Sequence, residues 1–131
     1  MSTVPPGEVP FLADLGLTLA DDGDTLQLVL QPRHLNRRGV AHGGLLMTLL
    51  DAALTRAARH ADPHDHSVAT VELKTSFLQP GRGMLRARGH CVHRSGTLAF
   101  CEATVDDAEG HPVARASATL RYLRGTAPDP S

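Results

Sequence analysis

The chain is poor in aromatic residues, with three Phe, one Tyr and no Trp among 131 residues. Exposed bases stack on aromatic side chains, so a single-strand nucleic-acid binder is disfavoured. Charge of one sign is also missing. The formal net charge is -1, with 13 Lys and Arg among 14 Asp and Glu, and no basic block marks a nucleic-acid surface. No apolar run is long enough to span a membrane: residues 45–61 fall short and carry Asp51 and Arg56. The opening Met1-Ser2-Thr3-Val4-Pro5-Pro6 has neither a charged n-region nor an apolar h-region, so no export signal and a cytoplasmic location are expected. Cysteine is limited to Cys91 and Cys101. If Ser95-Gly96 is a hairpin turn, Cys91 faces Phe100 and Cys101 faces His90. That register does not favour a disulfide, and free thiols in a reducing compartment are expected. Repeats and a domain boundary are absent too. The length suits one domain over 1–131, with an ordered core of about 11–123.

What is present is one long apolar helix among strand-like runs. Residues 9–15 read as a short helix with Phe11, Leu12 and Leu15 on one side. Residues 17–20 and 25–31 read as a hairpin around Asp21-Asp22-Gly23-Asp24. A loop over 33–41 leads into the helix, which is rich in Leu, Ala and Met and free of Gly and Pro from Leu45 to Ala61. Its near-uniform apolarity predicts burial on nearly every side. Asp62-Pro63-His64-Asp65-His66 ends it.

Four strands follow, over 67–78, 84–94, 97–105 and 112–123. The first alternates Ala69, Val71, Leu73, Thr75 and Phe77 against Thr70, Glu72, Lys74 and Ser76. The last places Ala114, Ala116 and Ala118 on one face, small enough for a helix to lie close. Residues 1–10 and the tail 125–131 are Pro-containing and expected to be loosely ordered. One helix cannot cover both faces of a six-stranded sheet, so a homo-oligomer is expected.

Within the apolar helix, Asp51 is the outlier, because a carboxylate there is costly unless paired or used. Positions at i, i+4, i+7 and i+11 share a helix face, and from Gly44 that face reads Gly44, Thr48, Asp51, Thr55. The helix begins at Gly43-Gly44, where free N–H groups and the positive dipole end gather. A carboxylate and a cluster of N–H donors are the parts needed to generate and hold an oxyanion. The plain structural alternative pairs Asp51 with Arg56 or Arg59.

The pattern Asn36-x2-Gly39-x2-His42-Gly43-Gly44, followed by Asp51, resembles the hotdog-fold acyl-CoA thioesterases, closest to the phenylacetate-pathway (PaaI-like) branch. The resemblance covers roughly residues 16–123. It implies an α+β hotdog fold: a long central helix wrapped by a curled antiparallel six-stranded sheet. It also implies an acyl-CoA substrate, no cofactor beyond the substrate's own CoA, and a homodimer or a dimer-of-dimers tetramer. By the same resemblance Asp51 is general base or nucleophile. The Gly43 N–H polarises the thioester carbonyl, Asn36 supports it, and His42 holds the loop or the carbonyl side. The site would form between two subunits. A hydroxyl either one turn after the acid or on the next strand would bind the water, which selects Thr55 or Thr70. Thr55 could instead bond its own i−4 carbonyl, and Thr70 could be an ordinary strand residue. Gly44 would border the substrate, and Arg94, Ser95 and Gly96 at a hairpin tip could touch CoA, though a charged tip is also an ordinary surface feature.

The eight histidines invite a metal reading, with His60, His64, Asp65 and His66 clustered at the helix exit. The spacing lacks a partner set of ligands, so no metal is expected. With no Lys or Arg on the Asp51 stripe, an uncharged aromatic or medium-chain acyl group is expected. Two other functions compete: an enoyl-CoA hydratase or dehydratase using His42 with Asp51, and a non-catalytic acyl-CoA-binding protein.

Overall fold

In the computed structural model, which describes residues 9–123, the elements run α1 (Pro10–Leu15), β1 (Thr18–Leu19), β2 (Leu26–Val29), a 3-10 turn (Pro32–His34), α2 (Gly43–Ala61), β3 (Val68–Phe77), β4 (Met84–Arg94), β5 (Leu98–Asp107) and β6 (Pro112–Tyr122). The tail expected to fray over 125–131, and all but two residues of the expected loose start, lie outside the described residues. The six strands form one antiparallel sheet in the order β1-β2-β4-β5-β6-β3. Helix α2 therefore carries the chain from β2 across the sheet to the opposite edge. It touches β3, β4, β5 and β6 on the way. This is the long helix wrapped by a curled sheet that the hotdog resemblance implies. Among the described residues no helix is long and apolar enough to cross a membrane.

One core holds the layers together. Leu46, Leu49, Leu50, Ala53, Leu54 and Ala58 of α2 meet Leu85, Ala87, Ala103, Val105, Ala114 and Leu120 of the sheet. Small sheet residues let the helix sit low, as the alanines of β6 suggest. The helix also comes close at Gly89 of β4. A Cβ added there would lie 2.6 Å from the Ala53 carbonyl oxygen and 3.3 Å from the Ala57 Cβ. The near-uniform apolarity of α2 predicts burial on nearly every side. Instead the curl of the sheet covers one side only; Met47 is exposed and Ala52 and Thr55 are partly so.

Three register shifts interrupt the sheet, and those in β3 and β4 change the faces and pairings that the sequence predicts. In β3 the pairing with β6 slips between Thr70 and Glu72. Strict alternation puts Thr70 and Leu73 on opposite faces, but the extra residue at Val71 brings both to the groove beside α2 and leaves Val71 62% exposed. In β4 a second slip lies between Cys91 and His93. The hairpin closes by Ser95 N–H donating to the Leu98 carbonyl at 2.8 Å, so its two central residues are Gly96-Thr97 rather than Ser95-Gly96. The shifted turn and the bulge place Cys91 directly opposite Cys101. Both are free thiols. Burial, with Cys91 beside it, pushes the Cys101 thiol up to about 12, so it stays protonated and inert near neutral pH.

The close helix–sheet contact is testable. Gly89→Ala drives a methyl into a backbone carbonyl that cannot rotate away. It should cost about 1–3 kcal/mol of stability, read as a lower Tm or urea midpoint. An unchanged midpoint would show that α2 does not rest on β4 at this point.

Candidate active site

The glycine motif is a folded loop with a job for each residue. Asn36 accepts the Gly39 N–H on its carbonyl at 3.0 Å, and Gly39 adopts φ 78, a left-handed conformation that suits glycine. Asn36-x2-Gly39 is thus a turn. The Asn36 side chain braces it further: Oδ1 accepts the N–H of Arg38 at 2.9 Å and of Val40 at 3.4 Å. Among the described residues its NH2 has no recorded partner, so two donors are left over. Buried His34 anchors the loop from below. Its Nδ1 accepts the Gln31 N–H at 2.9 Å, its Nε2 donates to the Leu15 carbonyl at 2.8 Å, and its own carbonyl accepts the His42 N–H at 3.0 Å.

His42 is the N-cap of α2. Its Nδ1 accepts the Gly44 N–H at 2.9 Å, which satisfies one of the orphan donors of the helix start. Glycine at 44 leaves room for this cap, since a Cβ would lie 3.2 Å from that same Nδ1 and the ring would have to shift by a few tenths of an ångström. The ring therefore caps the helix and leaves the Gly43 N–H among the free donors of its first turn.

Asp51 lies two turns further on, partly exposed on the uncovered side of α2. Thr70 Oγ1 donates to Asp51 Oδ1 at 2.7 Å. Of its two candidate partners, Arg59 pairs with Asp65 at 3.5 Å and Arg56 donates to the Gly23 carbonyl at 3.5 Å. Of the two hydroxyls in question, only Thr70 bonds the acid. Thr48 back-bonds to the Gly44 carbonyl at 2.9 Å. Thr55 shows no recorded side-chain hydrogen bond among the described residues, so the i−4 bond considered for it does not form.

Asp51 and Thr70 border a groove of about 730 Å³, walled by Phe11 and Leu12 of α1, Met47 and Thr55 of α2, and Leu73 of β3. Arg56 and Arg59 also line it. This corrects the expectation that the acid's surroundings hold no cation: the groove is wider than one helical stripe and takes in the next positions round the helix. Asn36 and Gly43 border a different depression, with Phe77, Leu78 and Pro80. Gly43 and Asp51 are eight residues apart, roughly 12 Å of helix rise. One chain thus offers the carboxylate and the donors in two separate hollows.

At the other end of α2, Asp62 is 1% exposed and was not singled out in the sequence. It accepts the N–H of His64 at 3.1 Å and of His66 at 2.8 Å, the His66 ring Nδ1–H at 2.7 Å, and Arg94 at 3.3 Å. Arg94 also sits over the Tyr122 ring, 5.1 Å from its centroid. Burial pushes the Asp62 pKa up, but the two backbone donors and the His66 ring outweigh it and hold the carboxyl at about 2. A signal was available: Asp at a helix C-terminus can accept the N–H groups two and four residues on. Arg94 thus ties the hairpin to the helix end, and Ser95 Oγ closes the hairpin by accepting the N–H of Thr97 and Leu98. Arg94, Ser95 and Gly96 do not line the groove. His66 serves Asp62. Elsewhere, Asp107, Glu109 and His111 bring three ligand-type atoms within 4.8 Å at the β5–β6 turn, where Asp107 Oδ1 already accepts two backbone N–H groups.

The geometry can be set beside known proteins. The profile of the thioesterase superfamily matches residues 38–114, and the chain belongs to that superfamily. A candidate esterase of Halobacterium salinarum is 32% identical over 128 residues, spanning 87% of this chain and 85% of its own. A Bacillus halodurans protein crystallised with CoA superposes with a TM-score of 0.77 at 29% identity, covering 88% of this chain and 78% of that one. A Ralstonia eutropha thioesterase-like protein, described as related to phenylacetic acid degradation, gives 0.74 at 25% identity over 92% of both chains. The chain is a thioester hydrolase of the hotdog fold, similar to the PaaI-like branch.

The Asp62 hub makes a prediction of its own. Asp62→Ala leaves Arg94 and several donors without their acceptor and should cost roughly 2–4 kcal/mol. Because the folded pKa is depressed, the ionised carboxylate contributes stability that is fully present above about pH 4 and lost as pH falls through the folded value. Melts of the wild type against pH should show that acid loss. Parallel wild-type and variant profiles would show that Asp62 does not contribute it.

Proposed function

We propose that this protein hydrolyses an aromatic or medium-chain acyl-CoA to the free acid and CoA at a site shared by two copies of the chain. The observation that carries this is the Asp51–Thr70 pair at 2.7 Å, set in a largely apolar groove of a thioesterase-superfamily chain. The CoA bound to the Bacillus halodurans relative supports the choice of thiol.

The division of labour follows from the two hollows. Asp51 of one copy acts as general base on water or as nucleophile on the thioester carbon. Thr70 orients the carboxylate by bonding one oxygen and leaves the other for the reaction. Asn36 and Gly43 of a second copy supply the NH2 and N–H donors that stabilise the tetrahedral oxyanion. Its collapse expels the CoA thiolate. His42 caps the helix start and holds the loop, Gly44 and Thr55 border the bound substrate, and the exposed Ser95-Gly96 tip, with Arg94 behind it, is the proposed CoA contact. The reaction draws on water and the substrate's own CoA, with no further cofactor. The acyl portion beside Asp51 is uncharged, because a substrate carboxylate there would repel the acid. Free Cys91 and Cys101 suit a reducing cytoplasm.

A second copy also answers an exposure problem. Val71, Phe77 (55% exposed) and Leu78 lie bare along and just after the edge strand β3, and an open apolar edge invites pairing. We infer a dimer, pairing further into a tetramer, and light scattering should find no stable monomer at micromolar concentration. A persistent monomer would remove the second wall of the site.

Substitutions separate roles from structure. Asp51→Asn should lower kcat by about a hundredfold or more with the fold intact. Asn36→Asp keeps the Oδ1 acceptor that braces the loop while removing the NH2, and should lower kcat by about a hundredfold with little change in Tm. Release of free thiol from a panel of acyl-CoAs reads both. Near-wild-type turnover in a folded Asp51→Asn protein would remove Asp51 from the mechanism, and water addition without thiol release would make the protein a hydratase.

A further inference from the structure

The far end of the groove holds an arrangement that hydrolysis does not use. Arg59 lines the groove eight residues beyond Asp51, roughly 12 Å along the helix. Asp65 faces its Nε at 3.5 Å, with both side chains less than a third exposed. Asp65 is the one residue other than glycine with positive φ among the described residues, at 50. Such a backbone persists when its surroundings over-determine it, and here they do. The Asp65 N–H donates to the Asp62 carbonyl at 3.1 Å, while the Asp62 carboxylate fixes the flanking His64 and His66 N–H groups. The buried hub thus shapes a loop whose product is a carboxylate held against Arg59. Among the described residues Arg59 has no other recorded side-chain partner, so its two terminal nitrogens remain as donors.

We propose that Arg59, positioned by Asp65, is a specificity-determining residue that binds a neutral oxygen, a hydroxyl or carbonyl, at the distal end of the acyl group. Asp65 already balances the Arg59 charge, which favours a neutral acceptor over a carboxylate. The acid stands by Nε at 3.5 Å without a hydrogen bond, which leaves the two terminal nitrogens of the planar fork for a ligand. The groove between them is lined by Ala52, Thr55 and Val68, a path suited to methylenes. This proposal rests on the thioesterase reading for which end of the ligand meets Asp51, so its test reads binding rather than turnover.

The probes are two unhydrolysable thioethers of CoA, S-decyl-CoA and its ω-hydroxy counterpart of equal heavy-atom count, titrated into the full-length protein by calorimetry. Burial alone favours the alkyl probe. A hydrogen bond to a charged donor reverses that order, and the ω-hydroxy probe should bind about tenfold tighter or more. Arg59→Met should bring the ratio of the two affinities to about one or below, and Asp65→Asn should lower it part of the way. Equal or weaker binding of the ω-hydroxy probe by the wild type would overturn the proposal, as would a ratio that survives Arg59→Met. Tight binding of both probes with the wrong ratio sinks this inference alone. Binding of neither, together with no thiol release from any acyl-CoA, sinks the thioesterase reading and this inference with it.

Discussion

The fixed rise of an α-helix governs this molecule. Gly43 opens α2 and Asp51 lies eight residues along it, so they stand roughly 12 Å apart, too far for the roles proposed for them to meet on one carbonyl carbon within a single chain. The rest of the architecture suits a pairing of two chains. The sheet covers one side of α2 and leaves Asp51, Thr55 and Met47 along a groove, and the edge strand keeps its apolar residues bare. A pairing that brings the start of one helix toward the middle of another would close both deficits at once.

Close packing makes that exposed arrangement sturdy. Gly89 lets α2 settle onto β4, and Leu49, Leu50, Leu54 and Ala58 are buried to within a few per cent. Polar anchors hold each end of the helix: His34 and His42 at its start, and Asp62 with His66, Arg94 and Tyr122 at its finish. Buried polar groups of this kind stabilise only when their partners are in place; His34 and Asp62 have theirs, whereas Arg94 keeps a buried Nε without a hydrogen bond among the described residues. The middle of the helix, held from both ends, can carry a carboxylate whose one observed side-chain bond is from Thr70.

Much of this was legible in the residues. The period of the Leu and Ala positions located α2, the alternating strands located β3 to β6, and the glycine motif with Asp51 pointed to the family. What escaped was non-local or irregular. A bulge adds one residue and leaves composition unchanged, so the turn of Thr70 toward Asp51 and the pairing of Cys91 with Cys101 could not be counted off. The single stripe through Asp51 carries no Lys or Arg, whereas the groove spans several stripes and takes in Arg56 and Arg59. Asp62 looked like one more polar loop residue, since its four donors come from a loop and from a strand thirty-two positions on.

Subunit mixing tests the central claim most directly. Asp51→Asn and Asn36→Asp proteins, each inactive alone, are dissociated together, reassociated and assayed for thiol release. If each site takes its acid from one copy and its amide from another, mixed dimers carry one intact site. Activity should then return to about a quarter of wild type on statistical exchange between symmetric partners. No recovery, with exchange verified by a mass-tagged subunit, would contradict the shared site.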